Sequence, residues 1–128
     1  MHLLLDTHIL LWTLLEPYKL SRTVRDYLDG DNHVVHFSAA SIWELSIKAG
    51  LGRTNFRATP RQIHASALHA DFVELPITAA ATLGVADLPM HHRDPFDRLL
   101  IAQARLLGAR LCTVDRRMRL YGDVVDIA

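Results

Sequence analysis

Short apolar runs that read as strands recur through this chain between segments carrying helix punctuation, and few architectures accept that alternation. His2-Leu3-Leu4-Leu5 reads as a buried strand, followed by an apolar helical stretch from Ile9 to Leu15 that Pro17 ends. Ser21 caps a second helix with Val24, Tyr27 and Leu28 on one face, and Asp29-Gly30-Asp31-Asn32 closes it. Next come a strand over 33–37, a helix from about Ser41 to Ala49 stopped by Gly50 and Gly52, and a helix opened by Thr59-Pro60 that runs through His69. The spacing then predicts a strand over 72–75, a helix capped by Thr78, and a helix opened by Asp94-Pro95 and ended by Gly108. A strand over 111–114, a short helix over 116–120 and a weak fifth strand over 124–127 complete the series. Strands alternating with helices imply an α/β fold, a mainly parallel five-stranded sheet flanked by helices on both faces. At 128 residues the chain suits one domain over 1–128, being too short for two.

In open parallel sheets the ligand site lies outside the carboxyl ends of the strands. Two acids stand at that edge: Asp6 after strand one and Asp115 after strand four. If those strands are neighbours, both carboxylates project into one crevice. Each also has a structural explanation, since Asp6 can cap the first helix and Asp115 can cap the short helix after it or pair with Arg116 or Arg117.

Two further acids belong with them. Glu44 precedes Lys48 by four residues, which fits an ordinary helical ion pair. Yet Ile42, Trp43, Leu45 and Ile47 leave its helix little polar surface, which places the glutamate at a crevice. Asp97 lies in the first turn of the helix after Asp94-Pro95, above Leu100 and Ile101. An acid there complements the helix dipole, but Asp94 already holds the capping position, so Asp97 is expected to point toward the sheet.

Four carboxylates in one crevice repel strongly, roughly 4 kcal/mol for two charges 4 Å apart at an effective dielectric of 20. Either some are protonated or a cation sits among them. Oxygen ligands without cysteine suit Mg²⁺ or Mn²⁺, and such an ion is the usual apparatus for phosphoryl chemistry.

Composition sets limits. No apolar run approaches the length of a membrane span, and Leu3-Leu4-Leu5 stops at Asp6, short of a signal peptide's apolar region. The lone cysteine, Cys112, cannot form an internal disulfide, which fits a cytoplasmic location. The net charge is zero, so no global basic field advertises a nucleic-acid ligand. Twelve of the fourteen cations are arginine, which forks phosphates where lysine does not, although genomic base composition gives the same bias.

The stretches Leu4-Leu5-Asp6-Thr7-His8, 38–45 (SAASIWEL), 91–104 (HHRDPFDRLLIAQA) and Thr113-Val114-Asp115 occur in this order. Together they resemble the PIN-domain toxins of bacterial type II toxin–antitoxin systems, the VapC type, over nearly the whole chain. The resemblance implies Mg²⁺- or Mn²⁺-dependent cleavage of RNA, commonly by a homodimer, and a cognate antitoxin protein as partner. It maps the catalytic and metal-binding acids onto Asp6, Glu44, Asp97 and Asp115, with Thr7 and Thr113 as hydroxyl partners and Asp94 beside them. His91 and His92 either line the RNA path, help bind metal or simply occupy a polar loop. Arg98 either contacts RNA phosphate or pairs with an acid. Trp12 and Trp43 are expected to pack in apolar helices or, if at the surface, to anchor a partner, and the apolar surplus of the first three helices to form a groove for an antitoxin segment.

Three rivals remain at this level. A receiver-like phosphorylation switch requires an acidic pair after strand one and a lysine after the last strand. Here Thr7-His8 follows Asp6, and no lysine occurs from Leu111 onward. A haloacid-dehalogenase-like phosphatase requires Asp-x-Asp, but position 8 is histidine. A nuclease-inactive binding module would have no need of four acids.

Overall fold

The structure, a computed structural model, describes residues 1–54 and 56–127. Among these residues, five strands form one sheet: β1 His2–Leu5, β2 Val34–Ser38, β3 Val73–Leu75, β4 Arg110–Thr113 and β5 Val125–Ile127. All pair in parallel, in the order β3-β2-β1-β4-β5. The chain thus builds outward from β1 through β2 to β3, then crosses to the opposite side of β1 for β4. That reversal puts the switch point, where such sheets hold their ligands, between β1 and β4. Receiver domains follow the order 2-1-3-4-5, so the observed order excludes a receiver-like switch.

Among the described residues, six α-helices connect the strands: α1 Thr7–Leu15, α2 Arg22–Asp29, α3 Ala39–Gly50, α4 Pro60–His69, α5 Ala79–Val85 and α6 Pro95–Leu107. Side chains alternate across a strand, and β1 shows it: Leu3 and Leu5 join a core with Ile9, Leu10, Phe37, Leu45 and Ile63, whereas Leu4 joins one with Leu100, Ile101, Leu111 and Met118. The first core lies under α1–α4 and the second under α6, so helices cover both faces as expected.

The element ends follow local chemistry. Helix α1 starts at Thr7 rather than Ile9, because the Asp6 side chain accepts a hydrogen bond from Ile9 N and closes the first turn. Helix α3 starts at Ala39 rather than Ser41, because the Ser38 hydroxyl accepts from Ala40 N. Thr59 and Gln62 form a reciprocal capping box at α4. Gly108 ends α6 at φ 71°, a left-handed conformation that glycine adopts without strain. Residues Arg116–Tyr121, expected as a short helix, form a 3₁₀ helix. Strand β4 ends at Thr113, one residue earlier than expected.

Candidate active site

Strand β1 delivers Asp6 and β4 leads into Asp115, and the two strands are hydrogen-bonded neighbours. The ladder extends one step past β1, where Asp6 N donates to Cys112 O at 3.0 Å. The Thr113 hydroxyl donates to Asp6 Oδ2 and accepts from Asp115 N at 3.1 Å, so one threonine ties both strand ends together. Asp6 is therefore a helix cap and a site residue at once: Oδ1 closes α1 while Oδ2 faces β4.

Glu44 reaches the same place from α3. The Thr7 hydroxyl lies 2.8 Å from Glu44 Oε1 and 2.9 Å from Ser41 Oγ. With one proton to give, it donates to the carboxylate and accepts from the serine. Lys48 Nζ donates to Glu44 Oε2 at 2.9 Å, so the expected helical ion pair forms at the edge of a crevice. Asp94 caps α6, its Oδ1 accepting from Phe96 N at 2.8 Å and from Asp97 N at 3.3 Å. That cap turns Asp97 toward the acids. Asp6, Glu44, Asp94, Asp97 and Asp115 line one cleft of about 240 Å³ with Thr7, His8, Lys48, Val114 and Arg117.

The electrostatics distinguish these acids. Burial pushes the Asp97 carboxyl up to about 7, reinforced by the charges of Asp94 and Asp6. Burial also raises Asp6, opposed by the hydrogen bonds from Thr113 and Ile9. Asp115 moves the other way: the Arg117 side chain holds it well below the usual carboxylate range, with a smaller contribution from His92. Arg117 forks it, with Nε 3.1 Å from Oδ1 and Nη2 2.9 Å from Oδ2.

The donor set suits a hard divalent cation. The carboxylates are oxygen ligands and the lone cysteine is buried in the core. Asp97 and Asp115, with the His92 ring beside them, present ligand atoms within 4.8 Å of one another.

Three expectations need correction. Arg98 is buried, and its guanidinium donates to the carbonyls of Val85, Leu88, Pro89 and His92 and to the Tyr121 hydroxyl. It therefore cannot reach RNA phosphate or pair with an acid. His92 is likewise buried and bonded to Asp115, so it does not line an open RNA path, whereas His91 is exposed and packs edge-on against Tyr121. Trp43 is not a packing residue of the core: it is more than half exposed and meets Phe96 edge-on. Ser41, Arg117 and Tyr121 gain roles beyond those read from the sequence. A serine three residues before Glu44 was a local signal for the first, and Arg117 was already a candidate ion-pair partner. Nothing local marks Tyr121, which acts on a residue 29 positions away.

Fold and site together define a class: a parallel α/β domain that gathers carboxylates from separate elements at its switch point. The PIN domain family model matches residues 3–124, and the chain belongs to the PIN domain family. Among solved structures, it is similar to a chain of VapBC2 from Rickettsia felis bound to a DNA fragment from their promoter. The TM-score is 0.69 at 15% identity, covering 100% of this chain and 98% of that one. It is also similar to a chain of FitAcB from Neisseria gonorrhoeae, at TM-score 0.64 and 18% identity, covering 98% and 96%. No curated protein sequence matches the chain.

Proposed function

We propose that this protein is a divalent-metal-dependent endoribonuclease, the VapC-type toxin of a type II toxin–antitoxin pair. The observation that carries the reading is the convergence of Asp6, Glu44, Asp97 and Asp115 on one cleft. Asp6, Asp97 and Asp115 are assigned to hold Mg²⁺ or Mn²⁺, with Glu44 completing the set or orienting the attacking water. A bound ion would supply charge stabilisation at the phosphate and acidity to water.

The chain's own residues do the rest. Thr113 fixes Asp6, and Thr7 with Lys48 fixes Glu44. Lys48 and Arg117 flank the cleft and are placed to meet substrate phosphate once released from their carboxylates. The products carry a 5′-phosphate and a 3′-hydroxyl. Beside the cleft, a groove of about 640 Å³ runs between α1 and α3, with Leu11, Trp12, Leu15 and Phe56 supplying apolar surface. It supports the reading of a cognate antitoxin segment as occupant. Trp43, Ile47 and Leu51, exposed on and just after α3, support a homodimer, and the protein is assigned to the cytoplasm.

Purified free of partner, the protein should cleave single-stranded RNA with Mn²⁺ or Mg²⁺ and stop on chelation. Asp6→Asn and Asp97→Asn should each reduce the rate by orders of magnitude while the circular dichroism spectrum is retained. Undiminished cleavage in EDTA would contradict the mechanism.

A further inference from the structure

His92 stands among the carboxylates just ahead of α6, with Nε2 2.8 Å from Asp115 Oδ2 and 3.3 Å from Asp97 Oδ2. By position it could be a third metal ligand. Its hydrogen bonds assign it a different part. Asp94 N donates to His92 Nδ1 at 3.0 Å. A backbone amide only donates, so Nδ1 carries the lone pair and the ring proton resides on Nε2. An Nε2–H aimed at Asp115 is a donor and has no lone pair to offer a cation.

The backbone that carries the ring is fixed from behind. The Tyr121 hydroxyl accepts from His92 N at 3.0 Å. Buried Arg98 donates to that same hydroxyl at 3.2 Å and to the His92 carbonyl at 3.5 Å. The other side-chain donors to Asp115 come from Arg117, whose side chain is 72% exposed and can swing into solvent. A cation that displaced Arg117 from Asp115 would leave the His92 donor in place.

We propose that His92, as its Nε2–H tautomer, is a positioning residue that holds the Asp115 carboxylate in place for the divalent cation, with Arg98 and Tyr121 locking it there. The proposal rests on the reading of the cleft as a metal site. Carboxylate ligands are commonly oriented by such outer hydrogen bonds, whose loss typically costs about 10–100-fold in metal affinity.

Two measurements test it. In the ¹⁵N-labelled metal-free protein, histidine side-chain NMR should show His92 protonated at Nε2, and the proton should remain when Mg²⁺ is added. A proton on Nδ1, or loss of the Nε2 proton on adding Mg²⁺, would make His92 a ligand and overturn the proposal. Mn²⁺ titrated calorimetrically should bind His92→Ala about 10–100-fold more weakly than wild type. His92→Gln, which offers an amide N–H to the same carboxylate, should recover most of that loss. Equal affinity in wild type and His92→Ala overturns the inference alone, as does a His92→Gln that folds normally yet binds as weakly as His92→Ala. A wild type that takes up no Mn²⁺ overturns the metal reading of the cleft, and the inference with it.

Discussion

Near pH 7 Asp97 is half-protonated in the folded chain, because burial and the neighbouring carboxylates of Asp94 and Asp6 penalise its charge. An unfolded chain releases that proton near the ordinary value of 3.8. Between about pH 4 and pH 7 the folded state therefore binds more protons than the unfolded one, and stability falls as pH rises through that window. At about 1.4 kcal/mol per unit, the loss amounts to a few kcal/mol. Asp115 is shifted the opposite way and adds no slope in this window, since its contribution is lost only as pH drops below about 4. Thermal melts of the metal-free protein should show Asp97→Asn gaining on wild type steadily from pH 4 to 7 and holding its lead at pH 8. Parallel melting curves across that range would show that Asp97 titrates normally. The Arg117 fork gives a second expectation at this scale. It competes with a cation for Asp115 but is largely exposed and screened by solvent, so it holds the carboxylate only weakly. Arg117→Ala should tighten Mn²⁺ binding by no more than about fivefold in a calorimetric titration, and weaker binding would argue against the competition. The sequence showed that the acids must repel one another. Which of them bears the repulsion was not legible, because the answer depends on donors such as Thr113 and Arg117 and on burial.

The helices carry signals that act within a few residues, and most were legible for that reason. Asp94-Pro95, Thr59-Pro60, Ser21 and Thr78 open helices as their chemistry dictates. Where a boundary moved, a cap explains it: Asp6 and Ser38 each start a helix two residues earlier than the apolar periodicity suggested. At α6 the cap also places the chemistry, since Asp94 bonds the first-turn amides and leaves the Asp97 carboxylate free to face the cleft. Asparagine caps about as well as aspartate, so Asp94→Asn should change stability little, whereas Asp94→Ala should cost about 1 kcal/mol in denaturant unfolding. Equal stability of the two variants would show that the cap hydrogen bonds contribute nothing. The arginine one residue past Asp97 illustrates what an element hides. On sequence grounds Arg98 is expected to contact RNA phosphate or pair with an acid, yet the carbonyls of Val85, Leu88, Pro89 and His92 surround it, and their convergence depends on how α5 and its loop pack against α6.

Across the whole molecule, the sheet order decides whether four scattered acids become one site. Sequence placed Asp6 and Asp115 after strands one and four, and the neighbour relation of β1 and β4 supplies the missing step. Glu44 and Asp97 were legible from helix faces and from the family resemblance, because the helix of Glu44 leaves little polar surface and Asp97 lies above Leu100 and Ile101 with its capping position already taken by Asp94. Contacts between separate segments were not legible: the Tyr121 hydroxyl holding His92, and the buried Arg98 behind it, arise from packing between segments with no pattern in common. The exposure of Trp43 belongs with them, since an apolar helix does not show which of its sides the fold leaves uncovered. Crystals grown with Mn²⁺ and measured for anomalous scattering would examine the cleft most directly. An anomalous peak bounded by Asp6, Asp97 and Asp115, with Glu44 beside it and Arg117 turned away, is expected at neutral pH and should vanish in Asp97→Asn. A fully occupied crystal with no peak in this cleft, or with its peak elsewhere on the molecule, would contradict the assignment of these four carboxylates to a divalent ion.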